Sequence, residues 1–542
     1  MKNVKRMVTL ALAVVMLLSV VGCGGSKPAE PAAPAAPAAP AAPAAPIVEN
    51  KGEVGKVDAT VEYEDTAIIG YWFDLDTADP YGSTTAAQQF FTNFTFDTSV
   101  FNNPDTGEIE PRLATEWKDV NGDGKTWEFK LREGVKFHNG NDFTAEDVKF
   151  TWEYTAANAG NVVRSNTSAV YVDSIEVVDP LTVRFNLTSA MFDWPSYMET
   201  KIYSKKAFDE LPATEAGIIG TGPYYYAKDR HVSGVEFVAA RNEEYWAGLE
   251  NYPTKNIVFK VLLDDDTRVA AIQAGDVDMI FNVTASYYDT LKADSNLNVL
   301  SRGGANSYYM GFNHRKADMA NLEIRKALAM GINREDVEAI AYNNGVGGKA
   351  NYNFCVPSGI GYAEVEPVGY DPDGAMEILK AAGKENMSLV LGHTSSTKAI
   401  AEVIQANLMM INVNVELRQV DASNWTAFKK ADEYDLFTDY AAYQGALLYN
   451  FNRFFHSAGS SNMFSFKSDS YEAMENEVLT AGSFEKMIEK FADLQQLVAE
   501  ELPIVPISAG NQIAAVKKDV EGVTLAPSTN YMNFSTIRIP KR

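Results

Sequence analysis

Apolar and polar positions follow several different patterns along this chain, and each pattern predicts a different kind of element. Met7 to Val21 is a predominantly apolar run of 15 residues, preceded by Lys2, Lys5 and Arg6 and followed by Gly22. A bilayer is spanned comfortably by about 20 such residues, so residues 1–22 read as an export signal rather than a membrane span. From Pro28 to Pro46 the repeat is Ala-Ala-Pro, and proline at every third position favours polyproline II over an α-helix. At about 3.1 Å per residue, this segment is a stiff spacer of roughly 60 Å. Folded sequence is expected from Val57, where "ATVEYEDTAIIGYW" alternates well enough for a first strand. Further on, Trp127, Phe129 and Leu131 alternate with Glu128, Lys130 and Arg132, which predicts a half-buried strand. Thr144-Ala-Glu-Asp147 then opens a helix as a capping box, with Val148, Phe150, Thr151 and Trp152 following on it.

Ahead of that strand, Asp119-Val-Asn-Gly-Asp-Gly124 begins like a calcium loop. Such a loop needs a bidentate Glu at its twelfth position, which is Lys130 here, with Glu128 two residues early. The Asn-Gly and Asp-Gly pairs instead supply the positive-φ residues of a tight hairpin turn.

A chain of 542 residues exceeds what one core usually serves, so two or three domains are expected. A formal charge of −25 argues against nucleic acid and against anionic lipid as partners. It suits a soluble monomer, or a cationic ligand. Of two cysteines, Cys355 reads as a packed apolar thiol. Cys23 follows Val20-Val21-Gly22, an ending that resembles the bacterial lipobox, in which the cysteine is acylated and heads the mature chain. Five histidines occur and none stands in a His-Glu-x-x-His spacing; there is no Gly-x-Ser-x-Gly elbow and no phosphate-binding glycine loop. Nothing points to catalysis, to a metal or to a cofactor.

The block from Glu110 to Tyr154 resembles the extracytoplasmic solute-binding proteins of family 5, the peptide/nickel-type receptors of ABC importers. The likeness rests on Pro111-x-Leu113-Ala114-x-x-Trp117, Asp123-Gly-Lys-Thr126, Phe129-x-Leu131-Arg132-x-Gly134-Val-Lys-Phe-His138, Gly140 and Thr144-Ala145-x-Asp147-Val148-x-Phe150. Further matches follow in family order: Gly220-Thr-Gly-Pro-Tyr224, Arg241-Asn242-x-x-Tyr245-Trp246, Gly275-Asp-Val-Asp278, Met310-Gly-Phe-Asn313, Arg325-Lys-Ala-Leu328 and Ile332-Asn-Arg334. "YDPDGAMEILKAAG" and "ELPIVPI" complete a likeness covering nearly all of residues 57–542.

The resemblance implies an α/β, periplasmic-binding-protein-like fold of the type II, cluster C-like kind, with two lobes built from three domains and a ligand cleft between them. Residues 1–22 are the lipoprotein signal and 23–56 the lipidated Cys23 with its linker. Residues 57–92, 219–302 and 508–542 form domain I, 93–218 domain II and 303–507 domain III. The chain is expected to enter the far lobe near Gly303-Gly304 and to return near Leu502-Pro503.

Peptide-binding relatives carry, late in the far lobe, a Trp and an Asp three residues on, the Asp pairing with the ligand's α-ammonium. Aligning "EYDLFTDYAAYQGALLYNFNRFF" on Tyr434-Asp435 and Asn450-Phe451 places Ala441 at the Trp and Gln444 at the Asp. A neutral amide cannot neutralise a desolvated charge; a shifted register would instead bring Asp439 near that position. Tyr440, Tyr443, Gln444, Tyr449, Asn450 and Asn452 offer aromatic faces and neutral hydrogen-bonding groups, suited to a polar or blocked peptide-like ligand, or else to the lobe's own core. Trp425 is a cleft aromatic or a core one. Asp97 is a cation receptor or a cap. Arg453 is a partner for a ligand carboxylate or a surface residue. The implied protein is a monomeric, lipid-anchored, extracytoplasmic substrate-binding subunit that delivers a small-molecule or peptide ligand to the transmembrane subunits of an ABC permease, with no nucleic acid partner and no cofactor. A ligand-presenting sensor on the same fold and a membrane-anchored hydrolase are the alternatives.

Overall fold

The computed structural model describes residues 50–83, 86–158, 169, 171–421, 424–442, 446–527 and 532–541. The export signal, Cys23 and the Ala/Pro spacer lie outside the described residues, and so do Tyr443 and Gln444.

Two long antiparallel strands, Leu297–Phe312 and Ile504–Lys517, run through the middle of one large mixed sheet. Toward one end the second of them pairs with Met279–Phe281, beyond which lie Thr66–Tyr71, Asn256–Val261, Glu236–Arg241 and Tyr224–Tyr226. Toward the other end the first pairs with Leu436–Ala442, followed by Ser388–His393 and Asn414–Gln419. The near lobe is the first of these halves and the far lobe the second. Thr66–Tyr71 is parallel to both its neighbours and buried along most of its length, the usual setting of a central parallel strand.

A separate four-stranded antiparallel sheet, Ala114–Asp119, Thr126–Leu131, Thr182–Leu187 and Val172–Asp179 in spatial order, belongs to the near lobe. The helix Ala145–Ala157 packs on it, and Trp152 and Trp194 meet with ring centroids 5.3 Å apart. Burying each such aromatic side chain stabilises by roughly 2–3 kcal/mol. The capping box is present: the Thr144 amide donates to Asp147 Oδ2 at 2.8 Å. The other oxygen of Asp147 accepts from the Lys205 amide, tying the helix start to a distant segment. The hairpin turn is present as well. Asp119 Oδ1 accepts from the amides of Asn121 and Gly122, and Oδ2 from Gly124, so backbone donors occupy the carboxylate that a calcium loop would spend on metal. Gly122 and Gly124 both have φ of 73°.

Two expectations need correcting. The folded body includes residues ahead of Val57, because Asn50 and Ser301 exchange backbone hydrogen bonds at 2.9 Å and Gly52–Glu53 pairs with Val523–Thr524. The first strand is confined to Thr66–Tyr71; upstream, Asp58 Oδ1 accepts from the Thr60 amide and hydroxyl and folds that segment into a turn. In the antiparallel register of the two long strands Gly303 pairs with Asn511 and Asn306 with Gly510, with a register shift between them. Gly304 admits no side chain there: a Cβ would stand 1.6 Å from the Gly510 carbonyl oxygen.

Candidate functional site

Asp97 follows the helix Ala86–Thr95 and is 2% exposed. Trp246 Nε1 donates to its Oδ2 at 2.8 Å, Tyr245 Oη to its Oδ1 at 3.2 Å, and Arg112 Nη1 lies 3.6 Å from Oδ1. Burial pushes its pKa up, and Arg112 and the hydrogen bonds pull it back. This corrects the expectation that Asp97 receives a ligand cation: its oxygens are committed to near-lobe donors. Asp97→Ala strands the buried donors Tyr245 Oη and Thr221 Oγ1 and the half-buried Trp246 Nε1, and it is expected to lower the free energy of unfolding by about 2 kcal/mol in a urea titration while leaving ligand affinity unchanged.

In the far lobe, Trp425 opens the short helix Trp425–Lys430, stacks on Phe428 with centroids 5.4 Å apart, and is 8% exposed in the core. Its Nε1 donates to Asp439 Oδ2 at 2.9 Å, and Lys429 Nζ donates to the same oxygen. Two corrections follow. Trp425 is a core aromatic, and Asp439 is already neutralised by Lys429, so it offers no unpaired charge to an ammonium. Tyr440, next on the strand Leu436–Ala442, points the other way; it is 43% exposed and its ring lies 5.3 Å from that of Tyr308. Asn450 is fully buried, and neither of its amide atoms has a hydrogen-bond partner among the described residues, so it does not line the cleft surface as expected.

Arg453 is the expected residue that reaches a cavity. It lies on the helix Tyr449–Phe455, whose chain then folds back so tightly that a Cβ on Gly459 would stand 2.4 Å from the Arg453 carbonyl oxygen. That fold-back delivers Ser461, whose amide donates to the Arg453 carbonyl and whose Oγ accepts from Arg453 Nη2 at 3.0 Å. The guanidinium sits over the Tyr449 ring, 5.2 Å from its centroid.

The cavity lies in the seam between the lobes and has a volume of about 210 Å³. Near-lobe Tyr171, Met191 and Tyr197 face far-lobe Tyr449, Asn452 and Arg453 across it. Beside it, near-lobe Phe192 packs on the far-lobe core. Among the described residues, neither oxygen of Asp193, 2% exposed, has a hydrogen-bond partner, nor does Oε1 of Glu475, 4% exposed. Burial pushes both carboxyls up to about 7. Both act on the phenols of Tyr171 and Tyr197, so the two acids, one from each lobe, share one environment. The sequence reading missed this seam. Glu475 was detectable in principle, since it lies four residues from both Tyr471 and Leu479 on the buried face of the helix Asp469–Leu479. Asp193 sits among apolar residues in "MFDWPSY", but only the docking of the second lobe gives that a meaning. Among the described residues, no group of three or more His, Cys, Asp and Glu side chains could hold a metal ion, and no helix is long and apolar enough to cross a membrane.

The model of the family described as Bacterial extracellular solute-binding proteins, family 5 Middle, matches residues 108–462. Heme-binding protein A of Haemophilus influenzae is 27% identical over 464 residues, covering 78% of this chain and 82% of its own. Di/tripeptide-binding protein 1 of Pseudomonas aeruginosa is 26% identical over 463 residues, with coverages of 78% and 84%. Among solved structures, the ABC transporter substrate-binding protein CtaP of Listeria monocytogenes has a TM-score of 0.80 at 19% identity, covering 88% of this chain and 100% of its own. A dipeptide-binding protein from Pseudoalteromonas, in complex with Met-Leu, has a TM-score of 0.75 at 22% identity with the same coverages. The fold is the mixed α/β, two-lobe binding-protein fold.

Proposed function

Because this chain belongs to the bacterial extracellular solute-binding proteins of family 5, we propose that it is the substrate-binding subunit of an ABC importer, enclosing a small peptide or peptide-like solute between its lobes. The observation that carries this reading is the seam cavity, walled by side chains of both lobes. The lobes are joined through the strands Leu297–Phe312 and Ile504–Lys517, whose register shift at Gly303–Asn306 is a natural hinge. A ligand that touches both walls binds the closed form better than the open one, and that difference drives closure. In this reading Cys23 carries the lipid, the Ala/Pro spacer holds the body off the membrane on its extracytoplasmic side, and a monomer presents the closed form to the permease. Domains I, II and III correspond to the near-lobe half of the large sheet, the four-stranded sheet and the far lobe. Arg453 and Tyr440, with Tyr443 and Gln444, are the proposed contacts.

Native mass spectrometry of the purified protein tests the proposal: a small-molecule adduct is expected that denaturation releases unchanged. Conversion of the adduct into products on incubation would overturn it in favour of a hydrolase. With Gln444 in place of an acid, dipeptides with free N-termini are expected to bind weakly, and Gln444→Asp to improve their Kd about tenfold or more by calorimetry.

A further inference from the structure

The chain carries 72 acidic residues against 47 basic ones, so an arginine that lines an inter-lobe cavity without an ion pair stands out in this protein. Arg453 is such a cation. It makes no ion pair with any described residue; its one hydrogen bond from the guanidinium goes to the neutral hydroxyl of Ser461, from Nη2. That bond, and the face-on approach to Tyr449 and Phe454, hold the guanidinium in one orientation where it lines the seam cavity. An arginine fixed on its back edge in this way presents its remaining N–H donors as a fork, which matches a carboxylate bidentately. The aromatic walls Tyr171, Tyr197 and Tyr449 leave room for a flat or apolar body behind the charged group.

We propose that the seam cavity is a subsite for a carboxylate-bearing ligand, with Arg453 as the residue that recognises the carboxylate. The proposal rests on the receptor reading above and names its substrate class: an acid without a free ammonium, such as an N-blocked peptide or acyl amino acid. The two acids of the seam, Asp193 and Glu475, make no ion pair with Arg453 among the described residues. Asp193 and Glu475 lie within electrostatic reach of Tyr171 and Tyr197, with His456 Nε2 3.8 Å from Glu475 and Glu472 adding to its field. Burial pushes both carboxyls up to about 7, so both are mostly protonated at pH 6. With no ion-pair partner among the described residues, Arg453 keeps its charge for the ligand.

The probes are hippurate (N-benzoylglycine) and its neutral amide, each titrated at pH 6 by calorimetry into the full-length protein, Arg453→Gln and Arg453→Lys. Hippurate is expected to bind the unmodified protein at least tenfold more tightly than the amide. Arg453→Gln should abolish that preference, and Arg453→Lys should retain part of it, because lysine keeps the charge and loses the fork. Equal binding of acid and amide, binding of neither, or a preference that survives in Arg453→Gln would overturn the subsite. A neutral ligand carried through purification and bound equally well by Arg453→Gln would overturn the carboxylate subsite while leaving the receptor reading intact. If no small molecule is retained or bound at all, the receptor reading fails with it.

Discussion

Gly304→Ala is expected to be among the most damaging single substitutions in this protein. A Cβ at this position would lie 1.6 Å from the Gly510 carbonyl oxygen, and that oxygen belongs to backbone, which cannot rotate aside. Relief requires the two long strands to separate at their register shift, where Gly303 pairs with Asn511 and Asn306 with Gly510. Overpacking in a fixed interior costs about 1–3 kcal/mol, and a backbone clash in a continuous sheet lies at or above the top of that range. The denaturant midpoint should fall accordingly. Gly122→Ala is the control: Gly122, unlike Gly304, has positive φ, and a Cβ there meets nothing within 4 Å, so its cost is backbone strain alone, about 1–2 kcal/mol. A Gly304→Ala protein no less stable than Gly122→Ala would mean that the two strands do not approach each other as described.

The second large effect concerns the buried acids at the seam. Burial raises Asp193 from its ordinary 3.8 to about 7. At about 1.4 kcal/mol per pH unit, that places the cost of its ionised form on the order of 4 kcal/mol. The direction follows from where the proton is held. The folded protein retains it and the unfolded chain releases it near its ordinary pKa, so stability is full below about pH 4. It falls as pH rises toward 7 and is flat above. Glu475 behaves in the same sense, from 4.5 to about 7. Asp193→Asn keeps the shape and removes the ionisation, so it should gain stability at pH 7.5 and change little at pH 4, measured as denaturant midpoints at both pH values. An equal effect at the two pH values would show that Asp193 is ionised or solvated throughout. The same substitution should favour the closed form at neutral pH if docking of the far lobe is what buries this carboxyl.

Local chemistry made much of the near lobe legible. The turn at Asp119–Gly124, the alternating strand Thr126–Leu131 and the capping box of Thr144 and Asp147 depend on residues within a few positions of one another, and each formed as its sequence dictates. Alternation failed at residues 59–65, where Asp58 Oδ1 turns the chain at Thr60 and the segment makes only an isolated bridge from Tyr63 to Pro540 before Thr66. The candidate site was less legible. Asp97, Trp425 and Asp439 have the residue types of a binding site, but Arg112, Trp246 and Lys429 reach them from other segments and turn them inward. Their availability to a ligand is a property of those partners, not of their own positions.

By itself, the sequence determined the apolar N-terminal run and the Ala/Pro repeat, the family, the α/β class and the absence of a recognisable catalytic motif, because these are written in composition, period and short spacing. Only the tertiary structure decided where the lobes exchange strands, which carboxylates are neutralised, and that Tyr171, Tyr197, Asp193, Glu475 and Arg453 share one seam. The physical reason is distance along the chain. Antiparallel register sets Gly303 opposite Asn511 and Asn306 opposite Gly510, and lobe docking sets the dielectric around Asp193 and Glu475; both arise between segments hundreds of residues apart, which no local pattern encodes.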